Sequence, residues 1–331
     1  MNSYYVAFLL LFSSAFWQAL ESPQESPRLA SRPTQKSGKT GAANIIFQST
    51  DGGQTWQDIS HGLPENAQAD EFIEKNNELY LRTGNGIYHS KPSSPAPYWQ
   101  KENFPAERGS IAPGKNGVFA YNYQDGQFLK KINGTNLWLP TYTNSQEKQV
   151  RTVFETSGGA VFIGSDRGLF KSTDSGKTWQ HVHTGGWVIK MVESNGVLLA
   201  TSQGGIIRST DDGENWDVVI SEGGVGIAIE RINGGFAAIS YNTQSETRRV
   251  RTSYDGGKTW QPIDANLPAS FLTSSIVQVG DSFFCGHPAG IFRSLDKGKN
   301  WKLVVPSING KVFNLSVSGN VMYAILRSGG C

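Results

Sequence analysis

The chain has 331 residues, of which 37% are apolar and 38 are glycine, a composition that supplies a core and excludes broad disorder. Its formal net charge of +2, from 30 basic and 28 acidic residues, lacks the electrostatic footprint of a nucleic-acid binder. Two cysteines, Cys285 and Cys331, exclude a disulfide framework and a structural zinc site, which needs about four Cys or His ligands.

From the amino terminus, residues 4–19 form an apolar run, and 21–33 are rich in Ser, Pro and Gln. This pattern reads as a signal peptide over 1–20 and a flexible Ser/Pro-rich linker over 21–43, and predicts an exported protein, whether periplasmic, cell-surface or secreted. No Lys or Arg precedes Arg28, so the usual positive start of a leader is missing. An uncleaved anchor or a buried strand is the alternative. The run is short for a bilayer, and no integral span is expected in the mature chain.

Residues 44–331 carry an internal repeat. The pattern Ser-x-Asp-x-Gly-x-Thr/Asn-Trp occurs five times without gaps, at Asp51 and Trp56, Asp174 and Trp179, Asp211 and Trp216, Asp255 and Trp260, and Asp296 and Trp301. Two degenerate copies end at Trp99, where three prolines remake the turn, and at Trp138, where Asn133 replaces the aspartate. The seven tryptophans recur every 37 to 44 residues, a period that marks a repeat architecture. Each unit divides into four short β-rich segments bounded by Gly and Asp, such as 149–155, 160–164, 169–172 and 179–182, with no helical periodicity. An all-β fold follows: a seven-bladed β-propeller of four-stranded antiparallel blades. The first recognisable strand starts at Ile45 directly before an aspartate turn, and the last segment, 311–326, lacks that turn. The two ends are therefore expected to share one blade, two strands each, which leaves no open inner edge.

In the repeated turn the aspartate can accept backbone amides, the glycine can take positive φ, and the indole can lie between sheets. These residues resemble the Asp-box, or BNR repeat, of sialidases, xyloglucan-degrading hydrolases, sortilin-type receptors and photosystem II assembly factors. The resemblance implies boxes between the third and fourth strands, on the face opposite the binding loops, with structural aspartates. In size and blade count the chain is most similar to the photosystem II assembly factors, for which the resemblance implies a non-catalytic assembly role and a basic patch.

Function is then expected on the loops joining second to third strands and fourth strands to the next blade. Only 241–249 is long enough to read as an insertion; it carries Tyr241, Glu246, Arg248 and Arg249, with Arg251 on the next strand. A basic patch and a solvated hairpin edge are its two readings. Trp187, outside the repeat register, is a candidate for stacking on sugar or peptide, with core packing as the alternative. Arg151, Arg167 and Arg248, with Tyr241, Glu222 and Asp166, are loose ingredients of a sialidase-like site, but that family's arginine motif before the first box is absent. A xyloglucanase-like cleft needs a second propeller as its other wall. The sequence is read as a monomeric, exported, non-catalytic binding or assembly module for a protein or glycan, with no nucleic acid, cofactor or metal. A glycoside hydrolase of sialidase-like or other polysaccharide-degrading type is the alternative. His287 has no visible catalytic partner, and Cys285 alternates with core positions.

Overall fold

The structure is a computed structural model that describes residues 29–30, 43–91, 98–104, 109–115, 117–132, 135, 137–142 and 146–327. The expected signal peptide, most of the linker, Asn133 and Cys331 lie outside the described residues. Seven antiparallel sheets form a ring, six of them following one another along the chain as blades 1 to 6, at 69–101, 110–141, 150–183, 191–220, 223–262 and 275–306. No described residue is helical. Blade 3 runs from channel to rim as Val150–Glu155, Val161–Ser165, Gly168–Ser172 and Gln180–His183. Its two middle strands are buried at every position because neighbouring blades cover both their faces, which makes such strands continuous apolar runs rather than alternating ones.

Blade 7 is assembled from both ends of the chain. Val312–Ser318 is innermost, Val321–Arg327 pairs with it, Ile46–Ser49 pairs next with Ile46 opposite Ile325, and Trp56–Asp58 lies outside. The expected two-plus-two closure is present. Leu29–Ala30, inside the expected linker, adds a parallel strand to the outer edge of Trp56–Asp58, an edge whose unpaired backbone groups an extended segment can satisfy.

The five intact boxes share one geometry. In blade 3 the Asp174 carboxylate accepts the Lys177 and Thr178 amides at 3.0 and 2.9 Å and the Thr178 hydroxyl at 2.7 Å. Ser172 Oγ donates to it at 2.8 Å and accepts the Gly176 amide at 2.8 Å. The glycine is required: Gly298 has φ +83°, and a Cβ there would lie 2.4 Å from the Ile263 side chain. Trp179, Trp216 and Trp260 donate to their own box glycine carbonyls, whereas Trp99 and Trp301 reach across to Ile59 and Ile263 of the preceding blade at 2.7 and 2.6 Å. These last two indoles tie sheet to sheet.

Hydrogen bonds from Thr178, backbone first and then side chain, hold Asp174 at about 2; those from Asn300 hold Asp296 at about 2. Both values lie below the ordinary 3.8, so the ionised boxes stabilise the fold above pH about 4, and that contribution is lost as pH falls toward about 2. Urea midpoints measured at descending pH are expected to fall through this window. A flat profile there would show that the boxes contribute nothing net.

Blades 1 and 2, which lack intact boxes, are joined differently. Lys131 stands seven residues before Trp138, where intact boxes have serine, and Glu102 stands three after Trp99, where five of the other six blades have Ile or Val. The buried Glu102 carboxylate accepts Lys131 Nζ and, at 3.2 Å, Trp138 Nε1, while His89 Nδ1 lies 2.7 Å away. Burial alone would raise this carboxyl, but the hydrogen bonds and charges of His89 and Lys131 outweigh it and hold the pKa at about 2.

The inner strands of all seven blades line a central cavity of about 680 Å³. At its Asp-box end, side chains of inner strands clasp the preceding blade. Glu155 accepts the Lys115 amide at 2.5 Å, Glu193 the Ser157 amide at 2.7 Å, Gln278 the Asn233 amide at 2.8 Å, and Glu74 the Ser318 hydroxyl at 2.5 Å. These side-chain acceptors complete turns between blades, a role no local pattern announces.

Candidate functional site

Strand alternation sends the Asp-boxes to one face and the second-to-third hairpins and fourth-to-first loops to the other. On that loop face, three segments converge. Arg151 begins the inner strand of blade 3, Tyr123 sits in the hairpin of blade 2, and Trp187 lies in the loop leaving blade 3. The Arg151 guanidinium carbon is 5.3 Å from the Tyr123 ring centroid and 5.0 Å from that of Trp187. Its Nε donates to Asp166 Oδ1, and the Tyr123 hydroxyl donates to Asp166 Oδ2 at 2.8 Å. Burial pushes the Asp166 carboxyl up, but the bonds from Arg151 and Tyr123 win and hold it below the usual range.

The local chain explains this arrangement. Gly186 has φ +74°, and a Cβ there would meet the Gln203 side chain at 2.1 Å, so the loop turns where only glycine fits. Val188 is then pinned inward, fully buried, with its amide donating to the Ser165 carbonyl at 3.2 Å. Trp187, one residue earlier, is left 44% exposed, outside the core. Arg167 follows Asp166 in the same turn. Its Nη2 and Nε donate to Glu147 Oε2 at 2.7 and 3.1 Å, and its side chain is 64% exposed while that of Glu147 is 6%. The cation faces outward and the carboxylate lies beneath.

Segment 241–249 is not a loop insertion. Tyr241 pairs with Arg248 and Asn242 with Thr247, so two lengthened strands close on a turn at 243–246. Strand alternation sets Arg248 on one side and Arg249 and Arg251 on the other. Arg249 is bidentate to Asp264 at 2.7 and 3.1 Å, Arg251 is bidentate to Glu222 at 3.0 and 2.5 Å, and Arg248, buried on the other side, donates to the Thr273 carbonyl at 3.0 Å. They do not make one basic patch. Tyr241, Glu246 and Arg248 instead line a cavity of about 350 Å³ with Val225, Ile227 and Phe271.

The structure therefore makes two clusters from the expected residues: Arg151, Arg167 and Trp187 in one, and Tyr241, Glu246 and Arg248 in the other. Arg249 and Arg251 belong to neither. Tyr123 and Phe271 were missed; for Tyr123 the available signal was an aromatic residue inside an otherwise polar loop. Among the described residues no group of three His, Cys, Asp or Glu side chains is placed to hold a metal, and no helix is long and apolar enough to cross a membrane. His287 is buried between the Pro268 carbonyl and the Ala289 amide, and burial lowers its pKa. Burial pushes the Cys285 thiol up, which keeps it protonated and inert.

Residues 251–262, the box of blade 5, match the BNR/Asp-box repeat family. No curated protein matches the sequence. Among solved structures, the extracellular domain of a putative hybrid two-component system from B. thetaiotaomicron is similar with 14% identity and TM-score 0.59, over 77% of this chain and 36% of that one. YCF48 bound to D1 peptide shares 14% identity with TM-score 0.53, over 93% and 100%. The GH74 xyloglucanase from Xanthomonas campestris shares 15% with TM-score 0.58, over 82% and 53%. This chain thus spans about a third of the sensor domain and half of the xyloglucanase. At these identities the likeness is one of fold: an Asp-box, seven-bladed propeller.

Proposed function

We propose that the chain is an exported, non-catalytic binding module whose loop face holds a protein or glycan partner. The observation that carries this reading is the Arg151 guanidinium held between the partly exposed rings of Tyr123 and Trp187. Rigid aromatic and guanidinium planes offer contact area with little entropy left to lose, the makeup of an interface hot spot. A glycoside hydrolase needs two opposed carboxyl groups, one of them kept protonated near neutral pH. On this face the Asp166 and Asp264 carboxyls each accept from a guanidinium, which outweighs burial and holds both below the usual carboxylate range, and Glu147 and Glu222 are likewise engaged by guanidinium groups. The peptide-bound state of YCF48 supports the same reading at the level of ligand class.

An array of glycans and an envelope extract, applied to the immobilised full chain, are expected to yield a ligand whose affinity drops about tenfold or more in Trp187→Ala and in Arg151→Gln, the effect of a loss of about 1.4 kcal/mol or more. Turnover of a fluorogenic sialoside or a polysaccharide, abolished by Asp166→Asn, would establish the hydrolase instead.

A further inference from the structure

The cavity of blade 5 lies on the same face as the Arg151 cluster but has a different chemistry. Val225 and Ile227 of the inner strand, Tyr241 of the second strand and Phe271 of the loop to blade 6 give it apolar walls. Phe271 is 62% exposed, an arrangement that costs hydration unless something covers it. These walls favour an aliphatic or aromatic side chain, which gives up no polar hydration on entering. At about 350 Å³ the space is near the lower end for a ligand pocket, and suits one bulky side chain with part of its backbone.

Charge sets the direction of the rest of the ligand. Glu246 is exposed on the turn at the rim of the cavity, so a carboxylate is repelled there. Arg248 lies buried in the lining, with Nη1 committed to Thr273. Toward blade 3 the most exposed of the paired groups is cationic: Arg167 stands 64% exposed above a Glu147 that is 6% exposed, while Arg151 and Asp166 are similarly exposed at 28% and 21%. One face therefore offers an apolar pocket with a negative rim, and elsewhere a cationic and aromatic surface.

We infer that this pocket anchors one bulky apolar side chain of an extended acidic peptide, whose carboxylates lead away from Glu246 toward Arg151 and Arg167. The inference rests on the loop-face reading above and names its partner class, an acidic polypeptide segment.

The test is selection of a random peptide display library on the full chain, followed by titration of one enriched synthetic peptide. Enriched sequences are expected to combine Asp or Glu with a single Phe, Leu, Ile or Trp toward one end. Phe271→Ser and Val225→Glu are expected to weaken that peptide about tenfold to a hundredfold, and so is replacing its apolar residue by Ser. The protein and peptide changes should not add, since they remove the same contact. Glu246→Lys should tighten binding a few-fold, and added salt should loosen it. Phe271 is exposed, so the thermal transition of Phe271→Ser should match the parent, which separates lost binding from lost folding. Binding that survives Phe271→Ser and Val225→Glu but is lost in Arg151→Gln overturns the pocket and leaves the loop-face reading standing. Enriched peptides lacking acidic residues overturn the inference as well. No enrichment, with a glycan bound on the array instead, overturns the peptide assignment while keeping the binding face; no ligand of either class overturns both.

Discussion

Glu102→Ala is expected to cost about 3–5 kcal/mol of unfolding free energy, because it leaves a buried ammonium without its counter-charge. Lys131 is 6% exposed at its side chain and Glu102 0%, and the Lys131 Nζ lies over the Tyr80 ring, 5.0 Å from its centroid. Rings offer the cation some compensation, too little to replace a carboxylate. The same change removes the acceptor of Trp138 Nε1, loosening the indole between blades 1 and 2. The double variant Glu102→Leu with Lys131→Met is the discriminating control. A buried pair exchanged for apolar residues of similar volume is often neutral or better, so the double variant should recover most of the loss. Urea unfolding of the four chains at neutral pH gives the cycle; a Glu102→Ala loss under about 1 kcal/mol would show that Lys131 reaches water when its partner is removed. The pH dependence has a defined sign. The Glu102 pKa is lowered from 4.5 to about 2, so its contribution is present above about pH 4.5 and disappears as pH falls toward about 2. Over that acid range the Glu102→Ala deficit should shrink.

That cluster also marks where sequence reading stopped. The box turns were legible because each is local: one aspartate, one serine and one glycine within five residues set the whole hydrogen-bond pattern, and repetition supplies the blade count. Glu102 and Lys131 are 29 residues apart, and each looks by itself like decay of the repeat. Only the stacking of one blade on the next reveals that two irregular positions compensate each other. The convergence of Arg151 and Trp187, both legible as candidates, with Tyr123 was hidden for the same reason. They occupy three non-adjacent segments, and what joins them is the ring's habit of bringing successive hairpins to one face. The 241–249 segment failed differently. Thr247, Arg248, Arg249, Val250 and Arg251 look polar enough for a loop, yet they alternate as a strand on which Arg249 and Arg251 are matched by Asp264 and Glu222 of neighbouring segments. Polarity misleads where a hairpin projects beyond the cover of its neighbours, since both strand faces can then be charged.

A chain beginning at Ile59 is expected to lose cooperative folding altogether. Removing Ile46–Ser49 and Trp56–Asp58 strips Val321–Arg327 of its outer partner and leaves an apolar strand as an open edge, the configuration that invites aggregation. It also takes Ile46, Phe47 and Trp56 out of the cluster that contains Phe284, Phe313 and Met322, and breaks the edge contact of Phe47 with Phe313 at 6.1 Å. Burying each large apolar side chain contributes about 1.5–3 kcal/mol, so three together rival the roughly 5–15 kcal/mol by which domains are stable at all. An open solenoid loses only the repeats cut from its end, because each repeat touches its neighbours alone. A ring loses two interfaces at once, since the truncated blade no longer presses on blade 6 or on blade 1. Circular dichroism melts and gel filtration of chains starting at Ala43 and at Ile59 separate the cases, the first retaining all four antiparallel strands of blade 7. A sharp transition and a monomeric elution from the shorter chain would mean that six blades close without the seventh, and that the pairing of Ile46 with Ile325 is an ornament of the ring and not its lock.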